Sequence, residues 1–112
     1  MRAALLAATA LLLASAAPAG ADRFLPDPTS CHDHPSGNGI HVSYLGQRFT
    51  TCATAHGVGT GYRSEPSCHK LGYCQLGHGS WSCHTTHHSG WHAHCRQIHG
   101  GSGEVFLAWR RV

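Results

Sequence analysis

Two short runs of strict alternation, Trp81–His87 and Trp91–Gln97, carry the strongest periodic signal in the chain. Trp81, Cys83, Thr85 and His87 fall on one face of the first run; Trp91, Ala93, Cys95 and Gln97 fall on one face of the second. Ser82, His84 and Thr86, then His92, His94 and Arg96, take the other side. A period of two identifies strands. The loop His88-Ser89-Gly90 suits a hairpin with Gly90 at the left-handed position. That register sets His87 opposite Trp91, Thr85 opposite Ala93, Cys83 opposite Cys95 and Trp81 opposite Gln97. On the second face it sets His84 opposite His94, with His92 one pleat along. A slip of one residue would mix the faces, so the register is self-consistent.

The rest of the chain reads as weaker β structure. Ser36-Gly37-Asn38-Gly39 is a turn signal. After it Ile40, Val42 and Tyr44 alternate with His41, Ser43 and Leu45, Gly46-Gln47 suits a two-residue turn, and Arg48 to Ala55 returns as a first hairpin. His56 to Gly61 (HGVGTG) is expected as a flexible connection; it lacks the Lys-Ser/Thr of a phosphate loop. Tyr62 to Gly79 reads as an irregular loop stapled by its cysteines. Glu104 to Val112 is a last strand, with Val105, Leu107 and Trp109 on one face. No segment shows sustained helical spacing with a cap. The fold class expected is a small all-β or β-rich irregular domain, disulfide-stapled, with two hairpins plus a C-terminal strand.

Composition narrows the setting. Arg2, an Ala/Leu run from Ala3 to Ala17 and Ala19-Gly20-Ala21 have the three parts of a secretory signal peptide cleaved after Ala21. The expected organisation is a signal peptide over 1–21, an extended lead-in over 22–30 and a single disulfide-rich domain over 31–112. That places the protein in a secreted or periplasmic setting, with no transmembrane segment once the signal is removed. The mature part is poor in Leu, Ile and Val. Its six cysteines, Cys31, Cys52, Cys68, Cys74, Cys83 and Cys95, suit three bridges in an oxidising compartment. The hairpin register favours Cys83–Cys95, with Cys68–Cys74 beside it. A weak internal repeat, the equal spacing of Cys31–Cys52 and Cys74–Cys95, favours those two pairs with Cys68–Cys83 instead. Fifteen connectivities exist for six cysteines.

Charge excludes one class. Without Arg2, seven Lys and Arg stand against five Asp and Glu, and the arginines are scattered, so no nucleic-acid partner is expected. Twelve histidines add positive charge only in acid, which makes charge-dependent binding pH-sensitive.

Histidine supplies the candidate chemistry. A His-x-His pair on a strand points both rings to one face, and neutral imidazole is a ligand for zinc, copper and nickel. His84, His92 and His94 are the first-choice ligands, with His88 from the loop. His32 and His34 flanking Asp33 form a second candidate. A Zn, Cu or Ni ion is thus the cofactor expected, and no organic cofactor is. A thiolate site of Cys83, Cys95 and His99 competes, although it lacks the short Cys-x2-Cys knuckles of structural zinc. Two other functions compete with metal binding. One is a secreted interaction module, inhibitor or antimicrobial factor that binds an extracellular protein or surface ligand pH-sensitively. The other is a small His-dependent hydrolase or nuclease, for which no catalytic motif is present.

Overall fold

The computed structural model describes residues 25–112, so the signal peptide expected over 1–21 and the start of the expected lead-in lie outside the described residues. Seven strands form one antiparallel sheet: β1 (Thr29–Ser30), β2 (Ser36–Gly37), β3 (Ile40–Arg48), β4 (Gly72–Leu76), β5 (Trp81–His87), β6 (Trp91–Gln97) and β7 (Glu104–Arg111). The order across the sheet is β1-β3-β7-β6-β5-β4, with β2 also paired to β3. The β-rich, disulfide-stapled class therefore stands.

The β5/β6 hairpin has the expected register at each pair, from Trp81–Gln97 through Cys83–Cys95 and His84–His94 to His87–Trp91. Its loop takes positive φ at two residues, Ser89 (56°) and Gly90 (124°). Only glycine adopts the second value readily. Strand β7 inserts between β3 and β6, and Val105, Leu107 and Trp109 are buried as one face.

The first hairpin lies elsewhere than expected. Its turn is Asn38-Gly39, both at positive φ, joining β2 to β3 as a mirror-image turn favoured by Asn-Gly. Strand β3 then runs straight through Gly46-Gln47, paired along its length with β7. A bulge at Ser43 shifts the register between Val42 and Tyr44. The extra residue flips the alternation: Leu45 joins Ile40 and Val42 in the core, and Tyr44 turns to the other face.

After β3 the chain forms a helix, α1 (Cys52–Arg63), where a returning strand and a flexible connection were expected. Thr51 caps it, its Oγ1 accepting from the Thr54 amide at 3.1 Å. Ala55, Val58, Gly59 and Tyr62 are buried at i, i+3, i+4 and i+7. Three glycines lower the intrinsic helix propensity by roughly 1 kcal/mol each. The cap, this buried stripe and the Cys31–Cys52 bridge at the first residue override that cost. Gly59 also allows close approach: a Cβ there would lie 3.3 Å from Leu45 Cδ1.

Helix α1 covers one face of the sheet across β3, β7 and β4, and the core lies between them. Tyr62 is its polar anchor. The phenol shares a hydrogen bond with Thr85 Oγ1 at 2.6 Å and donates to the Cys68 carbonyl at 2.8 Å. Burial pushes its pKa up. A 3-10 turn, Pro66–Cys68, leads from the helix toward β4. The bridges are Cys31–Cys52, Cys68–Cys74 and Cys83–Cys95. The repeat-based pairs Cys74–Cys95 and Cys68–Cys83 do not form, and the two halves of the repeat differ in structure: Cys52 begins a helix, Cys95 sits in a strand.

Candidate functional site

The face of the sheet opposite α1 carries His84, His92 and His94, and one cross-strand row organises it. From β4 to β3 the row reads Tyr73, His84, His94, Phe106, Gly46. Antiparallel partners alternate between close, non-hydrogen-bonded pairs and wider, hydrogen-bonded ones. Cys83 and Cys95, with Cα atoms 3.9 Å apart, form a close pair, so the neighbouring His84–His94 pair is a wide one. Along the same row Tyr73–His84 and His94–Phe106 are then close pairs. The Gln97 amide bond to the Gly103 carbonyl sets the same parity between β6 and β7.

Ring contacts follow that alternation. Tyr73 and His84 stack with centroids 4.2 Å apart and planes 5° from parallel. His94 and Phe106 stack at 4.4 Å and 10°. Two ring couples therefore stand on either side of the wide His84/His94 gap. Glycine at position 46, opposite Phe106, extends the row, because the Tyr44 ring folds over it where any Cβ would collide.

Glu104 fixes one couple. Its carboxylate accepts from Arg48 Nε at 2.9 Å and Nη2 at 3.0 Å, and from His94 Nε2 at 2.8 Å. The Arg48 bond, reinforced by His94 and opposed by burial, holds the Glu104 carboxyl below the ordinary carboxylate range. The same bond pushes the Arg48 guanidinium up. Arg48 also stacks its guanidinium 5.3 Å from the Phe106 centroid. Carboxylate, guanidinium and phenyl ring together set the plane in which His94 lies.

Two hollows meet across the gap. The larger, about 460 Å3, is lined by Pro28, Tyr44, Thr86, His92, Phe106 and Ala108 together with His84 and His94. The smaller, about 330 Å3, is lined by Tyr73, Ser82, Arg96 and Ile98 and the same two histidines. Both volumes lie at the lower end of small-ligand sites.

Three of the sequence-predicted ligands, His84, His92 and His94, thus share one groove. His88 sits exposed in the β5/β6 loop and lines neither hollow. His32 and His34 are exposed beside Cys31, away from both hollows. Between them Asp33 hydrogen-bonds to Nδ1 of His56 on α1, a contact that lowers the Asp33 pKa, while His34 stacks on His41. Among the described residues no group of three His, Cys, Asp or Glu side chains gathers closely enough to hold a metal ion. The thiolate site of Cys83, Cys95 and His99 is ruled out, since both sulfurs are in a bridge. Tyr73, Phe106 and Tyr44 escape a reading by local pattern. Tyr73 and Phe106 reach the site through strand order, and Tyr44 through the bulge at Ser43.

The chain matches no protein-family model, no curated protein and no solved structure. No described helix is long and apolar enough to cross a membrane.

Proposed function

We propose that this protein is an exported binding module whose ligand site is the sheet face opposite α1, centred on the His84/His94 gap. One observation carries the reading: two ring couples, held parallel by strand geometry and by Glu104, flank a gap into which two hollows open. Ring pairs across strands also stabilise a sheet, so it is the hollows beside them that carry the ligand reading. Here the paired rings leave concave apolar space between polar groups, the usual make-up of a ligand site. Three bridges in a small core are consistent with an oxidising, extracytoplasmic compartment.

The test is fragment screening by 15N and 13C NMR on the oxidised protein, using a set of one- and two-ring fragments. The expected result is that binders shift the signals of His84, His92, His94 and Phe106 and leave His56 and His88 unmoved. Binders that cluster on α1 or around Asp33 instead would sink the proposal.

Transition-metal binding is the second reading, favoured by His84, His92 and His94 lining one groove and by the carboxylate behind His94. Carboxylate-backed histidines are common around bound metals because the carboxylate orients the ring. The His84 and His94 rings would have to leave their stacking partners to converge on an ion. Calorimetric titration with zinc, copper and nickel addresses this. Replacing His92 and His94 together with Ala should weaken binding by about tenfold or more if they are ligands. Undiminished binding in that variant excludes this groove as the metal site.

A further inference from the structure

The two hollows differ in chemistry, and the difference describes an occupant. The larger is walled mainly by rings and small apolar groups, with Phe106 and Tyr44 among them. The smaller places the Arg96 guanidinium and the Ser82 hydroxyl beside the same two imidazoles. Neither lining includes a carboxylate. Arg96 is exposed and has no ion-pair partner among the described residues. Glu104, its neighbour across β6 and β7, lines an adjoining hollow with it but directs its hydrogen bonds to Arg48 and His94. The site thus joins an apolar trough to a cation that makes no salt bridge, through a gap bounded by two imidazoles.

We infer that the ligand is a small aromatic acid. Its ring body lies in the larger hollow against Phe106 and Tyr44, and its carboxylate reaches past the His84/His94 gap to Arg96. This rests on reading the face as a binding site and adds the ligand's charge and shape. An aromatic body matches the stacked rings, which favour further offset or edge contacts. A carboxylate matches the planar fork of a guanidinium, which takes two parallel hydrogen bonds. A cationic ligand would bring its charge against Arg96, and a neutral one would leave the guanidinium without a partner.

Three probes that share one ring system separate these cases: 2-naphthoate, 2-naphthylmethanol and 2-naphthylmethylammonium, each titrated into oxidised, isotope-labelled protein. Naphthoate should bind about tenfold tighter than the alcohol, roughly the 1.4 kcal/mol expected of one added charge-assisted contact. The ammonium probe should bind weakest. Arg96→Gln, at an exposed position, should remove most of naphthoate's advantage over the alcohol. Phe106→Ala should weaken both. Equal binding of naphthoate and the alcohol, or naphthoate binding unaltered by Arg96→Gln, overturns the acid inference while the site itself stands. Failure of all three probes to shift His84, His94 or Phe106 overturns both.

Discussion

Glu104→Gln is the substitution that most fully exercises this account, because one carboxylate ties β7 to β3 and β6 and also orients His94. The wild-type side chain is 15% exposed and accepts three hydrogen bonds from two cationic or polar partners. Glutamine has nearly the same shape but only one acceptor oxygen, and its amide would point a donor at Arg48 or His94. Losing the charge and at least one charge-assisted bond at such a site costs about 2 kcal/mol. For a domain this small that lowers Tm by ~10 °C. The measurement is urea denaturation of the oxidised protein followed by tryptophan fluorescence, at pH 7 and again near pH 3. Because the folded-state pKa of Glu104 is held below its unfolded value, its contribution is present above about pH 4.3 and is lost as pH falls through the folded value. The gap between wild type and Glu104→Gln should therefore narrow in acid. Asp33 is shifted in the same direction but is common to both proteins, so it cancels. A difference under about 0.5 kcal/mol at pH 7, or an equal gap at both pH values, would show that Glu104 does not tie these strands together.

Other substitutions test the frame around the site. Tyr62→Phe removes a buried hydroxyl from Thr85 and the Cys68 carbonyl and should cost roughly 1–2 kcal/mol in denaturation midpoint. Replacing Cys31 and Cys52 together with Ala opens a bridge of sequence separation 21. It should cost about 3 kcal/mol and raise amide exchange first in α1, measured by hydrogen exchange with mass spectrometry. Gly90→Ala places a side chain at φ 124° and should cost roughly 1–3 kcal/mol by thermal melting. Non-reducing peptide mapping should recover Cys31–Cys52, Cys68–Cys74 and Cys83–Cys95 with no free thiol.

How far the sequence can be read depends on how local the cause is. The β5/β6 register was legible because Trp and Cys alternate with His on both arms of a short loop, so hydrophobicity and turn chemistry agree. Cys83–Cys95 followed from that register. Cys74 occupies the same row, opposite Cys83, but at a wide pair, and it bridges to Cys68 instead. Helix α1 was hidden by Gly57, Gly59 and Gly61, whose low propensity masks a capped, buried stripe. Alternation from Ile40 and Val42 puts Tyr44 on their face, and nothing in that pattern marks the bulge that moves Tyr44 to the other side. The ring couples were out of reach for another reason: Phe106 meets His94, and Tyr73 meets His84, only once β7 lies beside β6 and β4 beside β5. Local patterning supplied the histidines, and strand order supplied their partners.

The paired rings themselves can be measured without any ligand. In a 13C-resolved proton spectrum of the oxidised protein, the ring protons of His84 and His94 should lie upfield of those of exposed His88, shifted by the faces of Tyr73 and Phe106. Tyr73→Ala should release only the His84 shift, and Phe106→Ala only that of His94. Imidazole signals for these two residues that coincide with His88, or that ignore both substitutions, would mean that no framed gap exists on this face.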